Sequence, residues 1–174
     1  AIARLSGARD VPFPAVEMIP AAPELPLAYG DVIYAEAYAY HEPLMQRAPD
    51  LYHPQTRQTI SLGQAVSTTR YIRARREMDR LRASAANLFP GVDLLLTPTA
   101  PGPAFPLGKP GSLAFLRNTS MWNLFGLPSI SVPCGFTRDG RPVGLQITGR
   151  AGDDHIVLAA AAAFPAYSRR PAAL

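Results

Sequence analysis

Residues 123–150 read NLFGLPSISVPCGFTRDGRPVGLQITGR, and the order of signals in this stretch decides the fold. Gly126 can take the left-handed conformation that ends a helix, and Pro128 then blocks continuation. Ser129-Ile-Ser-Val alternates small polar with apolar side chains, and Val143-Gly-Leu-Gln-Ile-Thr does the same after Asp139-Gly140. A period of two sorts side chains onto the two faces of a pleated strand, and Asp-Gly is a tight-turn dipeptide. The pattern predicts an antiparallel hairpin, with Pro133 and Pro142 near strand ends because each withholds a ladder donor. Asp153 or Asp154 then caps an alanine-rich helix that runs through Ala163 and closes near Pro165.

Upstream, Asp93-Leu-Leu-Leu-Thr97 is a short apolar run between turn signals, which predicts a strand covered on both faces. The following PTAPGPAFPLGKPG is too dense in proline and glycine for regular structure, and long loops after buried strands often line sites. Ser112 is placed to cap a helix reaching about Asn123. Ser61 with Gln64 three residues later fits a capping box and predicts the longest helix. Ala65, Val66, Ile72, Met78, Leu81, Ala85 and Leu88 would carry it to a stop near Pro90 and Gly91. Between Ala28 and about Arg47, Ile33, Ala37, Tyr40 and Leu44 recur at helical spacing, predicting an amphipathic helix interrupted at Pro43, with a loop at Pro49 and Pro54. Residues 1–28 carry Pro12, Pro14, Pro20, Pro23 and Pro26 and read as an extended lead-in, with Ala1 to Gly7 as the end of a helix.

The 174 residues are 48% hydrophobic and 17% charged, which excludes a disordered chain and favours one domain over residues 1–174. No apolar run approaches the roughly 20 residues that cross a bilayer, and AIARLSGARD lacks the order of a secretory signal. A soluble protein without membrane partners is expected. The lone Cys134 gives no support to an oxidising compartment, so a cytoplasmic location is the default. The net charge of +4 raises a nucleic-acid role, but its distribution argues against one. Arg70, Arg73, Arg75, Arg76, Arg80 and Arg82 share one helix with Glu77 and Asp79, and no aromatic residues alternate with them to stack bases. A solvated helix face is the simpler reading.

The succession AEAYAYHEPL, TRQTISLG, YIRARRE, DLLLTPTAP and NLFGLPSISVPCGFTRDGRPVGLQITGR, followed by the alanine-rich helix, resembles the C-terminal part of the amidase signature family, from about Asp31 to Ala163. The resemblance implies an α/β fold. The chain would form part of the mixed-sheet α/β/α architecture, with a C-terminal β-hairpin followed by a helix. It also implies hydrolysis of carboxamide C–N bonds by a Lys, a Ser in a cis peptide and a nucleophilic Ser, all upstream of the matched region. The sequence contains no Gly/Ser-rich nucleophile loop.

The residues themselves agree. Serine needs a base within hydrogen-bond reach, and a tetrahedral intermediate needs preorganised donors. Lys109, the one lysine, lies between Gly108 and Pro110, where a solvated ammonium stays protonated and is no base. Cys134 with His155 as base is disfavoured, because a reactive thiolate needs an electropositive open setting and Cys134 follows a buried strand. His41, His53 and His155 lack metal-ligand spacing, so neither a metal nor a cofactor is expected, and no catalytic residue is assigned.

What the resemblance carries over is a pocket wall. Thr97, Pro98, Thr99, Asn118, Trp122 and Asn123 are the candidates from the strand, loop and helix that face the family's cleft, and Tyr38 and His41 are similar to a segment shaping the acyl side. Core packing is the competing role for Trp122, and capping or turn bonding the competing role for Asn118 and Asn123. The glutamine-using relatives carry an acidic residue shortly before the segment matching Met121-Trp122-Asn123, whereas Ser112 to Asn123 contains none, which implies a neutral or aryl amide. The expectation is therefore a scaffold segment, inactive alone, whose partners are a small-molecule amide in the complete enzyme and a complementary N-terminal amidase segment or a second copy. The rival reading is a free-standing, non-catalytic binding or oligomerisation module.

Overall fold

The computed structural model describes residues 25–106 and 113–164, so Lys109, Ser112 and most of the lead-in lie outside the described residues. These residues fall into two compact units, one helical and ending at Ala83, the other beginning at Ser84.

The helical unit opens with α1, Leu25–Arg47. It takes in the last four residues of the expected extended lead-in. Pro26 is tolerated there because first-turn amides have no intrahelical acceptor. Pro43 does not interrupt the helix either. It stands one turn from the C-terminus, where its missing N–H forfeits a single bond, and Arg47 Nε donates back to its carbonyl at 3.3 Å.

The buried side of α1 also differs from the Ile33, Ala37, Tyr40, Leu44 stripe. Val32 is 3% exposed, whereas Tyr40 is 72% exposed. The reason is a backbone contact: a Cβ on Gly63 would stand 1.9 Å from Tyr34 O and 2.5 Å from Tyr38 Cβ. Close approach of two main chains, rather than an apolar stripe, sets how the helix is turned.

Pro54 begins a helix instead of lying in a loop: α2 runs Pro54–Ser61, and His53 Nδ1 accepts from Gln55 N at 3.3 Å. Ser61 thus ends a helix, and the expected capping box with Gln64 does not form. A 3₁₀ turn, Leu62–Ala65, and an extended Val66 follow, and the cap is Ser67, whose Oγ accepts from Arg70 N at 3.3 Å. Helix α3, Thr68–Ser84, buries Ala74, Met78 and Leu81 at helical spacing. Its arginines meet acidic groups. Arg70 grips both oxygens of Asp31, Arg75 reaches Glu36, and Arg80 pairs with Glu77.

The second unit is a three-stranded antiparallel sheet of order β1-β3-β2. Strand β1 is Leu94–Pro98, β2 is Ser129–Phe136 and β3 is Pro142–Gly149. The expected hairpin forms, with Ile130 opposite Ile147 and Val132 opposite Leu145, and Gly140 turns it with φ of 83°. Pro133 sits inside β2 rather than at its end. A register shift between Pro133 and Gly135 accommodates the missing donor. Strand β1 buries Leu95, with Leu94 and Leu96 half-covered.

Helix α4, Arg117–Phe125, ends at Gly126 with φ of 67°, as the Gly-x-Pro pattern requires. Leu127 N–H returns to Trp122 O at 3.0 Å and seals that end. Helix α5, Asp154–Ala163, packs on the hairpin, where a Cβ on Gly149 would come within 2.6 Å of Val157 Cγ2. Asp153 precedes it without a side-chain cap bond. Trp122, Leu124 and Ile147 are at most 2% exposed and form the centre of this unit.

Candidate substrate-pocket wall

Strand alternation divides the sheet into two chemically unlike faces. One carries Ile130, Val132, Leu145 and Ile147. The other carries Thr97, Thr99, Ser129, Ser131, Gly144, Gln146 and Thr148, with Gln146 directly between Thr97 and Ser131. Ser129 and Thr148 share a hydrogen bond of 2.8 Å, and Thr99 and Ser131 one of 2.6 Å. Gly144 makes the second pair feasible, since a Cβ there would lie 2.8 Å from both hydroxyl oxygens.

At the Thr99 end the chain leaves β1 as a loop through Ala104, and loop and hairpin enclose a groove of about 540 Å³. Thr99 to Ala104 form one side, Ser131, Pro133 and Pro142 to Gly144 the other. Thr99 N–H donates to Gly144 O at 3.0 Å where the walls meet. Among the described residues no ionisable side chain lines the groove.

Of the expected wall residues, the structure brings together Thr97, Pro98, Thr99 and Asn118. Asn118 Nδ2 donates to Pro98 O at 2.9 Å and ties the start of α4 to the end of β1. Thr97 Oγ1 is buried without a partner among the described residues, as are Trp122 Nε1 and Gln146 Oε1. Trp122 is in the core, and Asn123 is exposed, its carbonyl accepting from Gly126 N at 3.2 Å. Tyr38 and His41 belong to the helical unit. Tyr38 OH donates to Glu42 at 2.9 Å, an acceptor that raises its pKa, and His41 Nδ1 lies 2.9 Å from Tyr52 OH.

Sequence reasoning missed Ser131, Gly144 and Arg141. Ser131 and Gly144 could have been found from the register of the hairpin, which sets them on the same face. Cys134 is half-buried, with Sγ 3.4 Å from Val143 O, and His155 is exposed. Among the described residues no group of three His, Cys, Asp or Glu could hold a metal, and no helix is long and apolar enough to cross a membrane.

The family model described as Amidase matches residues 18–158. The chain belongs to the amidase family. An amidase of Pseudomonas putida is 32% identical to it over 166 residues, 89% of this chain and 34% of the relative. A glutamyl-tRNA(Gln) amidotransferase subunit of Myxococcus xanthus is 42% identical over 111 residues, 61% of this chain and 23% of that relative. A crystal structure of an amidase superposes with a TM-score of 0.72 at 33% identity, covering 79% of this chain and 34% of the other. The chain thus spans about a third of the length of that Pseudomonas amidase and of that crystal structure. Its mixed α/β architecture, closing with a hairpin and a helix, is that of amidase signature enzymes.

Proposed function

We propose that this chain is the C-terminal portion of an amidase domain, one structural piece despite its two compact units. It contributes sheet, helices and one wall of the substrate pocket to hydrolysis of a carboxamide, and hydrolyses none alone. The observation that carries the reading is the match over residues 18–158 by a chain that spans 34% of its Pseudomonas relative. The chemistry supports it. The hydroxyls of Thr99 and Ser131 bond to each other at 2.6 Å, and no base approaches either in the described residues, so neither is activated as a nucleophile. Thr97, Pro98, Thr99 and Asn118 are the wall residues this reading favours, with Tyr38 and His41 assigned to the acyl side. Among the described residues the groove lining has no charged side chain to meet a substrate ammonium or carboxylate, which favours a neutral amide.

The test is complementation. The purified chain is incubated with neutral aryl and alkyl amides, alone and after mixing with a separately produced segment comprising the first two-thirds of a related amidase. Ammonia or amine release only in the mixture is the expected result. Reproducible release by the chain alone would overturn the proposal.

A second reading has its own observation. Among the described residues β1 and β2 each pair on one side only, both with β3, which leaves outer ladder groups open to another strand. A free-standing module that pairs through these edges would run as a dimer in chromatography and gain no activity on mixing. Under the first reading the complementary segment takes those edges.

A further inference from the structure

Arg141 stands just before Pro142, Val143 and Gly144 in one wall of the groove, and its guanidinium reaches the other wall. Nη1 donates to the carbonyl oxygen of Ala104 at 2.8 Å, and Nη2 pairs with Asp139 at 2.5 Å. A guanidinium is planar with its donors in a fixed fork, so anchoring one nitrogen on Asp139 directs the other. Asp139 is itself held, because the Thr137 hydroxyl donates to its other oxygen. Thr137 Oγ1 in turn accepts from Arg141 N–H at 2.9 Å, and Thr137 N–H donates to Arg141 O at 2.8 Å. The aim of Arg141 is thus set by the turn that carries it.

The opposite wall has little of its own to hold it. Pro101 and Pro103 lack backbone donors, and Gly102 has no side chain to pack. Its ties to the hairpin are the two made by Thr99 at its start and the one made by Arg141 at Ala104. Without the Arg141 bond the described residues tie the loop to the hairpin at Thr99 alone, and beyond Ala104 it rests on the Phe105 ring, packed edge-on against Phe115 at 5.0 Å.

We propose that Arg141 is a positioning residue that sets the width of the groove by holding Ala104 against the hairpin, and that the groove so held takes the uncharged, apolar part of a carboxamide. The choice of ligand rests on the function proposed above; the latch does not. A volume of about 540 Å³ suits a small molecule. Among the described residues no charged side chain lines the groove and the Arg141 guanidinium at its end is paired with Asp139, so an ionic ligand finds no unpaired charge there. The Thr99 and Ser131 hydroxyls leave free lone pairs for one N–H of the ligand.

The experiment uses the full chain labelled with ¹⁵N and three probes of one size: acetanilide, the matching ketone acetophenone, and benzamidinium as a cation. Acetanilide should move the amide signals of Ala100, Gly102, Ala104 and Gly144 saturably, and benzamidinium should not. Arg141→Gln removes a hydrogen bond from a charged donor and should weaken acetanilide about fivefold or more. It should also raise the fast backbone mobility of Gly102 and Ala104 in ¹⁵N relaxation, while Ile130, Leu145 and Ile147 stay rigid. Arg141→Lys should restore part of the affinity, and Asp139→Asn, which frees the guanidinium, should fall between wild type and Arg141→Gln. Unchanged loop mobility and affinity in Arg141→Gln would overturn the proposal, as would an equal gain of mobility in the sheet, which marks a general structural role. If acetophenone follows acetanilide through every variant, the latch stands and the amide ligand falls, together with its support for the amidase reading.

Discussion

Each unit of the chain is closed at a glycine, but the two glycines face different neighbours. In the helical unit a Cβ on Gly63 would meet the carbonyl oxygen of Tyr34 at 1.9 Å and the carbonyl carbon at 2.5 Å. In the sheet unit a Cβ on Gly149 would meet a methyl of Val157 at 2.6 Å, with Asp153 no nearer than 3.6 Å. A main chain inside a helix cannot step aside without breaking its own hydrogen bonds, whereas a valine can rotate or shift by a few tenths of an ångström. The helical unit is therefore intolerant at its closest contact and the sheet unit forgiving at its own, although the sheet unit holds the most deeply buried side chains, Trp122, Leu124, Ile147 and Thr148.

The sharpest way to break this contrast is Gly63→Ala. The added methyl has no room against backbone, so α1 must separate from the Leu62–Ala65 turn, at a cost of about 3 kcal/mol or more. Hydrogen exchange should show protection lost across Leu25–Arg47 and Pro54–Ser61. A loss under about 1 kcal/mol in denaturant melts would mean that the approach is looser than the structure has it.

Gly149→Ala should cost less, about 1 to 2 kcal/mol, because the obstacle is the end of a side chain. Adding Val157→Ala removes that obstacle, so the double variant should cost about 1 kcal/mol less than the sum of the two single costs. Strict additivity would place the strain elsewhere.

The same contrast explains what could be read from sequence. The sheet unit is specified by local chemistry: Gly126 before Pro128, Asp139-Gly140 between two alternating runs, and an apolar Leu94–Leu96 each impose a conformation within a few residues. The expected strands and helices are there, with three displacements: Pro133 lies inside β2, the α-helix before Gly126 begins at Arg117 after a 3₁₀ turn, and Asp153 makes no cap bond. The helical unit is specified by a contact between residues about 29 apart, Tyr34 with Gly63, for which no periodicity exists. Ser61 reads as a cap and Ile33 to Leu44 as a core stripe, and packing overrides both. The pocket wall divides in the same way. Thr97, Pro98 and Thr99 became wall candidates through the family resemblance of the strand and loop that carry them, whereas the reach of Arg141 to Ala104 depends on a turn 37 residues away.

The smallest effect contrasts one carboxylate from each unit. Asp139 and Glu77 are both held below their ordinary values, first of all by a hydrogen bond from an arginine, Arg141 for Asp139 and Arg80 for Glu77. Asp139 also receives the Thr137 hydroxyl, and its pKa falls from 3.8 to about 2. A lowered pKa contributes stability that is complete above the unfolded value and is lost as pH falls through the folded value. For Asp139 that window runs from 3.8 down to about 2, and for Glu77 it opens below 4.5. Both groups are solvent-facing, so screening keeps the effect on global stability small and salt weakens it further. The carboxyl resonances report it directly: on acidification Glu77 should begin to protonate before Asp139, whose midpoint should fall near 2. Thr137→Val removes the second donor and should move Asp139 part of the way back toward 3.8 without moving Glu77, while Arg141→Gln, which removes the larger cause, should move it further. An Asp139 that titrates near 3.8 in the unaltered chain would mean that the turn does not hold its carboxylate, and an Arg141 without that anchor would have no fixed reach to Ala104.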